Sequence, residues 1–367
     1  MRIGVPKEIK KQEHRVGLIP SSVRECVSRG HQVMVETNAG AGIGFDDAAY
    51  TEAGATIAQT AAEIFAASDM IIKVKEPQPQ ECAMLRPDQI LFTYLHLAAD
   101  KPQAEALIKS DCIAIAYETV TGANGKGLPL LAPMSEVAGR LSTQVGAHYL
   151  MKHMGGEGLL IGGVTGVDPA QVLIIGGGVA GFNAAEVAVG MGARVSMIEK
   201  FPARLKELES IFGDKVTLYD DSRFIEGLLP NMDLVIGAVL VPGASAPKLV
   251  TKAMLKTMKQ GAVMVDIAID QGGCFESSHA TTHADPVYTV DGIIHYCVAN
   301  MPGAVPRTSA MALNHAILPY ALKLADMGWE KALASDSGLA AGLNICKGKV
   351  THKGVAESLD FAYVSAA

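Results

Sequence analysis

The feature that most constrains the fold is an apolar run that leads directly into three spaced glycines. Residues 171–175 read Gln-Val-Leu-Ile-Ile, and Gly176, Gly178 and Gly181 follow in a Gly-x-Gly-x-x-Gly pattern that opens a helix-forming segment. The first glycine permits a tight turn, the second lets the backbone approach a pyrophosphate, and the third allows close packing of the helix. The helix N-terminus offers amides and the positive end of its dipole to the phosphates. The sequence therefore predicts a strand–turn–helix unit that binds a dinucleotide.

An acidic residue stands where such a site needs one. The next apolar run, residues 195–198, ends at Glu199, where a carboxylate can accept hydrogen bonds from the adenosine ribose. Because a carboxylate would repel a 2'-phosphate, Glu199 predicts NAD rather than NADP. Lys200 and Arg204 could instead approach such a phosphate, or could simply be a solvated helix start. The alternative for the whole pattern is an ordinary glycine turn with a solvated glutamate after it.

Length and composition indicate a folded chain. At 367 residues the chain can form about two domains. Apolar residues make up 49%, charged residues 19%, and the net charge is -7, which excludes a disordered composition and argues against a nucleic-acid binder. The six cysteines form no CxxC pair, and the first residues lack the segments of a secretion signal, so we expect a cytoplasmic protein.

Strand-like and helix-like segments alternate along the chain, which is typical of parallel sheets. The predicted strands are residues 3–5, 32–35, 70–74, 90–95 and 113–116 in a first series, and 172–175, 195–198, 216–218, 234–239 and 263–269 in a second. We predict an α/β fold with two Rossmann-like domains, the second inserted into the first. Residues 1–132 and 306–367 would form a substrate and catalytic domain, and residues 133–305 would form the NAD-binding domain.

Three candidate functional residues follow predicted strands, at the sheet edge where open α/β folds bind ligands. These are Lys75, His96 and Asp270, and Arg15 is a fourth candidate in a polar loop. Taken singly, each has an ordinary explanation as a surface cation, a core histidine or a helix cap. Together they match the oxidation of an amino acid, which needs a cation for the carboxylate, a group that exchanges protons, and a carboxylate that helps water add to an imine.

Other kinds of site have weaker support. Cys274, His279 and His283 are spaced as metal ligands can be, but no fourth ligand is nearby in the sequence, so they are more simply explained as loop residues. The sequence contains no Gly-x-Ser-x-Gly motif and no cysteine in a recognisable nucleophile context.

Over nearly its whole length the sequence resembles the bacterial L-alanine dehydrogenases. The motifs that carry the resemblance are Arg15-Val-Gly-Leu-Ile-Pro20, Lys73-Val-Lys75-Glu-Pro77, Tyr94-Leu-His96-Leu-Ala-Ala-Asp100, Leu128-Pro-Leu-Leu-Ala-Pro-Met-Ser135, Asp233-Leu-Val-Ile-Gly237, Val265-Asp-Ile-Ala-Ile-Asp270 and Tyr296-Cys-Val-Ala-Asn-Met-Pro302.

The resemblance implies reversible, NAD-dependent conversion of L-alanine to pyruvate and ammonia by a homohexamer, with the substrate between the two domains. Arg15 and Lys75 would bind the substrate carboxylate and oxo group, His96 would be the acid and base, and Asp270 would assist the water and carbinolamine steps. Ser135 would contact the cofactor, although it could instead be only a helix cap. The other implied cofactor contacts are Glu199, Arg204, Val239, Leu240, Ile267, Ala268, Ile269, Asp270, Val298, Ala299, Asn300 and Met301.

Two positions depart from the family's pattern. Asp221, with Ser222 beside it, stands where a serine is expected near the adenosine ribose, and Lys200 stands where an uncharged residue is more usual. The rival interpretation is the NAD-binding component of proton-translocating transhydrogenase, which shares the two-domain architecture and passes hydride to a partner subunit at a membrane. His96, Lys75 and Arg15 favour the dehydrogenase, because the rival has no amino acid to deprotonate.

Overall fold

The structure is a computed structural model that describes residues 1–122, 124–239 and 246–365. The chain divides into two compact units, Met1–Met134 with Val305–Ala367, and Ser135–Ala304. The strands, numbered along the chain, are β1 (Arg2–Val5), β2 (Gln32–Glu36), β3 (Thr56–Ala58), β4 (Met70–Ile72), β5 (Ile90–Thr93), β6 (Ile113–Ala116), β7 (Gln171–Ile175), β8 (Arg194–Ile198), β9 (Val216–Tyr219), β10 (Leu234–Gly237), β11 (Val263–Asp266), β12 (Val287–Val290), β13 (Ile293–Tyr296), β14 (Leu343–Cys346) and β15 (Lys349–Val350).

The α-helices fill the connections between the strands. They are α1 (Pro20–Ser28), α2 (Asp47–Glu52), α3 (Ala61–Ala67), α4 (Pro79–Cys82), α5 (Lys101–Lys109), α6 (Ala132–Tyr149), α7 (Val179–Gly190), α8 (Pro202–Phe212), α9 (Phe224–Leu228), α10 (Lys252–Leu255), α11 (Pro306–Met327), α12 (Trp329–Ser335), α13 (Ser337–Ala340) and α14 (Lys353–Leu359). Helix α5 shows how the sequence sets a helix start, because the Asp100 side chain accepts a hydrogen bond from the Gln103 amide and Pro102 lies in the first turn.

The sheet of the first unit has the strand order β15-β14-β6-β5-β4-β1-β2-β3. Strands β1 to β6 run parallel, in the doubly wound order in which the chain starts at the centre and reverses direction once. Strands β14 and β15 extend this sheet antiparallel at one edge. Strands β4, β5 and β6 are buried along their whole length, as helices on both faces of a parallel sheet require.

The sheet of the second unit has the order β12-β13-β11-β10-β7-β8-β9. Its parallel strands repeat the doubly wound order, with β7 and β10 on the two sides of the point where the strand order reverses. Strand β12 joins the edge antiparallel to β13.

The predicted fold class of two Rossmann-like α/β domains is confirmed, with one correction. Both sheets were expected to be parallel, but β12, β14 and β15 are antiparallel edge strands that the sequence analysis did not find. Strand β15 has two residues, too few for a pattern, whereas β12 is a run of strand-forming residues, Val-Tyr-Thr-Val, that was overlooked in the sequence. Within the described residues, no helix combines the length and the apolar character needed to cross a membrane.

Candidate active site

The carboxyl ends of four adjacent strands in the first unit carry charged or titratable side chains. Glu8 follows β1, Lys75 follows β4, His96 follows β5 and Glu118 follows β6. Because these strands are parallel neighbours, their carboxyl ends share one edge of the sheet. The backbone of the Lys75 segment is tied to the next strand, since Thr93 Oγ1 donates to the Lys75 carbonyl at 3.0 Å. The predicted residues Lys75 and His96 therefore lie at one edge, as the sequence analysis proposed for a site.

Arg15 is buried in the first unit with a fixed orientation. Its Nε donates to Glu13 Oε1 at 2.7 Å and its Nη2 donates to Glu13 Oε2 at 2.6 Å, while both side chains are at most 1% exposed. The third nitrogen, Nη1, lies 3.1 Å from the Met134 thioether. Burial by itself lowers the pKa of Arg15, but the hydrogen bonds and charge of Glu13 outweigh it and raise the pKa. Arg15 is therefore a permanent, oriented cation.

The loop that carries Arg15 lies against the sheet edge. A side chain at Gly17 would place its Cβ 2.3 Å from the Ile72 carbonyl oxygen at the end of β4, so only glycine allows this approach. The charge of Glu8, which follows β1, also raises the pKa of Arg15. The structure therefore brings Arg15 to the edge that carries Lys75 and His96.

A buried ion network supports the backbone of Lys75. Glu8 Oε1 accepts from the Val74 amide at 2.6 Å and from the Lys75 amide at 3.3 Å. Its other oxygen accepts from Lys73 Nζ at 3.1 Å, and Lys73 also donates to Glu81 at 2.7 Å. Burial alone lowers the pKa of Lys73, but the two carboxylates outweigh it and raise the pKa, so Lys73 stays charged. The network fixes the point at which the chain leaves β4.

His96 has an unusual backbone conformation that a carboxylate supports. Its φ of 51° and ψ of 36° are left-handed, which disfavours a residue with a Cβ. Glu118 Oε1 accepts from the His96 amide at 2.5 Å, and both Glu118 oxygens lie 3.2 Å from the Leu95 amide. The imidazole stacks on Tyr94 at 5.8 Å between ring centroids, and its side chain is 45% exposed. The ring is thus oriented on one side and accessible to a substrate.

The C-terminal helix supplies a second histidine near Glu118. His352 caps α14, its Nδ1 accepting from the Val355 amide at 3.3 Å. Burial lowers the pKa of His352, and the charge of Glu118 partly opposes this. Helix α14 also packs on the short helical turn Leu97–Ala99 that follows His96. The segment that carries His96 is therefore held by Glu118 and by α14.

Sequence reasoning missed Glu8, Glu13 and Glu118. Glu8 and Glu118 follow β1 and β6 as closely as Lys75 and His96 follow β4 and β5, so the same edge rule, applied to every strand, would have found both. Glu13 carries no such signal, because its only sequence cue is its place two residues before Arg15.

The glycine turn of the second unit has the geometry that a pyrophosphate site requires. Gly176 has a φ of +104°, and a Cβ at Gly181 would lie 1.8 Å from the Gly176 carbonyl oxygen. Both positions therefore exclude other residues. Among the residues that the structure describes, no atom lies within 4 Å of a Cβ built at Gly178, so this part of the chain leaves room for a phosphate there. The N-cap of α7 is Gly178, which has no side chain that could accept from the amides of the first turn.

Glu199 lies beside this turn and is almost completely buried. Its Oε2 accepts from the Gly177 amide at 2.9 Å and its Oε1 accepts from the Phe201 amide at 2.8 Å. A carboxylate has about four acceptor positions, so both oxygens can also accept from a ribose hydroxyl. Arg204 Nε donates to the Gly177 carbonyl at 2.7 Å, and Arg204 Nη1 pairs with Glu207 at 2.6 Å. These contacts place both predicted residues at the glycine turn.

The remaining predicted cofactor contacts follow other strands of the same sheet. Val239 follows β10 beside the turn, since a Cβ at Gly176 would lie 3.2 Å from the Val239 amide. The short 3-10 helix Ile267–Gln271 follows β11 and contains the predicted contacts Ile267, Ala268, Ile269 and Asp270. Val298, Ala299, Asn300 and Met301 follow β13, with Asn300 at a φ of 71°. The predicted contact Leu240 lies outside the described residues.

Ser135 and Asp221 lie on other elements of the second unit. Ser135 lies one helical turn before Gly139 on α6, and a Cβ at Gly139 would lie 2.1 Å from the Ala180 carbonyl oxygen in the first turn of α7. Ser135 is therefore on the side of α6 that meets the start of α7. Asp221 follows β9 and pairs with Arg223 at 2.8 Å, and the hydrogen bond from Arg223 lowers the pKa of Asp221.

The residues of the weaker alternatives have other partners. Cys274 Sγ lies 3.7 Å from Asp266, His279 stacks on Tyr288 at 3.6 Å between centroids, and His283 Nε2 lies 3.0 Å from the Asn300 carbonyl. Burial raises the pKa of Cys26 and of Cys112 to about 11 each, which disfavours a nucleophilic thiolate at neutral pH.

The chain is similar to known proteins over nearly its whole length. Residues 4–138 match the model of the alanine dehydrogenase/PNT N-terminal domain, and residues 142–353 match that of the C-terminal domain. The alanine dehydrogenase of Halomonas elongata is 54% identical over 100% of this chain and 99% of that protein. The alanine dehydrogenase of Mycolicibacterium smegmatis is 53% identical over the same shares of the two chains.

Solved structures show the same relationship. A structure of L-alanine dehydrogenase superposes with a TM-score of 0.94 at 51% identity, covering 98% of this chain and 99% of that one. A transhydrogenase from Sinorhizobium meliloti superposes with a TM-score of 0.83 at 24% identity, covering 96% and 99%, and so shows a shared fold alone. The chain belongs to the alanine dehydrogenase/PNT family.

Proposed function

We propose that the chain is an L-alanine dehydrogenase, an enzyme that reversibly converts L-alanine to pyruvate and ammonia with NAD. The observation that carries the proposal is the placement of Arg15, Lys75 and His96 at one sheet edge of the first unit. The relatives named alanine dehydrogenase match the full length of the chain and support the same reaction.

Arg15 would bind the substrate carboxylate. Glu13 fixes the guanidinium plane, and the Met134 thioether on Nη1 is only a weak acceptor. A carboxylate would form a much stronger, charge-assisted hydrogen bond there. Lys75, whose backbone Glu8 holds, would bind the oxo group that forms at the substrate Cα. Two cations then orient a small acid.

His96 would be the acid and base of the reaction. The amine of alanine must be neutral before the Cα–H bond breaks, and loss of hydride from Cα leaves an iminium carbon. When bound, NAD supplies the hydride acceptor. His96 would then take a proton from the water that adds to the iminium carbon, and Asp270 would assist the carbinolamine step in which ammonia leaves. The exposed imidazole, oriented through Glu118 and Tyr94, suits this role.

The second unit would bind NAD. The glycine turn and the uncapped amides of α7 would receive the pyrophosphate, and Glu199 would accept from the adenosine ribose. The loops after β10, β11 and β13 lie at the same edge of the sheet and would contact the rest of the dinucleotide. We propose NAD rather than NADP because the Glu199 carboxylate would repel a 2'-phosphate.

The chain would act as a homo-oligomer, a hexamer by resemblance. Leu160, Val164 and Val167 are each at least 59% exposed in one short loop of the second unit, where Val164 and Val167 pair as a bridge. Clustered apolar side chains of this kind mark protein contacts. Light scattering of the purified protein would give the number of chains in the assembly.

Initial rates test the function. L-Alanine, L-serine and glycine are each offered with NAD and with NADP, and pyruvate plus ammonia is offered with NADH. The proposal predicts that alanine with NAD is the best of the oxidation pairs. His96→Ala should abolish turnover and leave NADH binding largely intact, while His315→Ala, which removes an exposed histidine of α11, is the matched control. Near-normal turnover of His96→Ala would refute the role of His96.

A further inference from the structure

We propose that Asp266 and Lys248 are positioning residues that together fix the loop carrying Asp270, one through its amides and the other through its carbonyls. The inference rests on the proposed role of Asp270 in the reaction. It concerns the second unit only.

Asp266 holds the loop through its amides. This residue ends β11 and is completely buried. Its carboxylate accepts from the amides of Ala268 at 3.1 Å, Cys274 at 2.9 Å and Phe275 at 3.3 Å. The Ser278 hydroxyl is a further donor. Burial raises the pKa of Asp266, and these hydrogen bonds partly oppose that effect. The carboxylate therefore ties both ends of the loop to one point.

Lys248 holds the same loop through its carbonyls. Its ammonium donates to the carbonyl oxygens of Gly272, of Gly273 at 2.8 Å and of Phe275 at 3.2 Å. An ammonium has three donor hydrogens, so these acceptors match its full capacity. The neighbouring segment adds a bond from the Ala246 amide to the Gln271 carbonyl at 3.0 Å.

The sequence of the loop explains why it needs support from both Asp266 and Lys248. Gly272 and Gly273 have φ values of +85° and +77°, and glycines in this region are the residues that lose most freedom on ordering. The 3-10 helix before them spans Ile267–Gln271, too short to be stable by itself. Asp270 lies between the Ala268 amide bound by Asp266 and the Gly272 carbonyl bound by Lys248. Asp266 and Lys248 thus fix the backbone on both sides of Asp270.

A double-mutant cycle between Lys248 and Asp270 tests this role. Lys248→Met keeps the aliphatic stem and removes the ammonium, and the exposed position makes it a mild change for folding. We expect kcat for alanine oxidation to fall about tenfold, since a small misplacement of a catalytic group costs up to about a hundredfold. KM for alanine and the affinity for NADH should change by less than about threefold. In an Asp270→Asn background, Lys248→Met should cause no further loss, because residues that act as a unit are not additive.

Two further variants are controls for the double-mutant cycle. Lys248→Arg keeps donors for the carbonyls and should recover most of the lost kcat. Lys256→Met removes another exposed lysine of the same unit and should leave kcat unchanged. A full tenfold loss from Lys248→Met in the Asp270→Asn background would overturn the proposal, because it would show action independent of Asp270. Wild-type kcat in Lys248→Met would overturn it as well.

Hydrogen exchange gives a readout that does not depend on turnover. In the full-length protein without nucleotide, Lys248→Met should speed exchange of the amides in residues 268–275, and Lys256→Met should not. If these amides exchanged at the wild-type rate in Lys248→Met, Lys248 would not be fixing the loop. Failure of the proposed function is distinguishable, because it would appear as absence of alanine oxidation by the wild-type protein while the exchange result stayed as expected.

Discussion

The carboxylate of Glu118 accepts a hydrogen bond from the backbone amide of His96 at 2.5 Å, across 22 residues of sequence. It holds His96 in a left-handed conformation that costs roughly 1–2 kcal/mol for a residue with a Cβ. Glu118 therefore supports the backbone of the proposed acid and base, and its Oε1 also lies 3.9 Å from His96 Nδ1. The imidazole is accessible because nearly half of the His96 side chain is exposed.

Replacing Glu118 should weaken catalysis more than binding. Glu118→Ala leaves the His96 and Leu95 amides without their acceptor, so we expect kcat to fall about tenfold to a hundredfold. Glu118→Gln keeps one acceptor oxygen and should lose less. Steady-state kcat and KM for alanine, with NADH affinity by fluorescence, measure the effect. Equal losses of kcat in Glu118→Ala and Glu118→Gln would show that catalysis depends on the charge of Glu118 rather than on its hydrogen bonds to the backbone.

The pair of Arg15 and Glu13 should affect both substrate binding and stability. Arg15→Lys cannot bind two carboxylates through a planar fork, so KM for alanine should rise at least about tenfold. Glu13→Ala leaves a buried guanidinium without its carboxylate and should lower the free energy of unfolding by about 3–5 kcal/mol. Urea unfolding measures the second effect. A loss below about 1 kcal/mol would mean that Arg15 does not depend on Glu13.

We expect the choice between NAD and NADP to depend on Glu199. Because the amides of Gly177 and Phe201 hold its carboxylate in place, kcat/KM with NAD should exceed that with NADP. Glu199→Ser removes the negative charge and should lower the ratio of kcat/KM with NAD to kcat/KM with NADP. Lys200 and Arg204 remain in this variant and could bind a 2'-phosphate. If the wild-type protein used NADP as efficiently as NAD, the assignment of NAD would be wrong.

Glu76 gives a pH-dependent contribution to stability. Burial alone raises the pKa of Glu76, but Lys75 and Lys10 outweigh it and lower the pKa below the ordinary 4.5. The ionised carboxylate therefore stabilises the fold above pH 4.5, and this contribution is lost as the pH falls through the lowered value. Unfolding midpoints should be higher for wild type than for Glu76→Gln at neutral pH. The difference should shrink in acid, whereas a constant difference would contradict the linkage.

Local backbone constraints explain which parts of the site could be predicted from sequence. The turn at Gly176 and Gly181 requires glycine for steric reasons that lie within a few residues, so its pattern is visible in the chain. Lys75 and His96 are visible because they follow apolar runs. These features need no knowledge of the tertiary fold.

The supporting carboxylates depend on contacts between distant segments. Glu8 lies 67 residues from Lys75 along the chain, and Glu118 lies 22 residues from His96. The rule that ligand-binding residues follow strands points to both glutamates, but the sequence does not show which backbone amides they bind, because the pairing of β1, β4, β5 and β6 sets those contacts. Strands β14 and β15 were also missed because pairing defines them, since β14 pairs with β6 and β15 pairs with β14.

The most direct test follows the hydrogen on the substrate Cα. L-Alanine deuterated at Cα is incubated with the protein and NAD in ordinary water, and the reduced nucleotide and the oxo acid are analysed by mass spectrometry. An L-alanine dehydrogenase should give one deuterium in each NADH and as many molecules of pyruvate as of NADH. Reduced nucleotide without deuterium, or no oxidation of alanine at all, would contradict it.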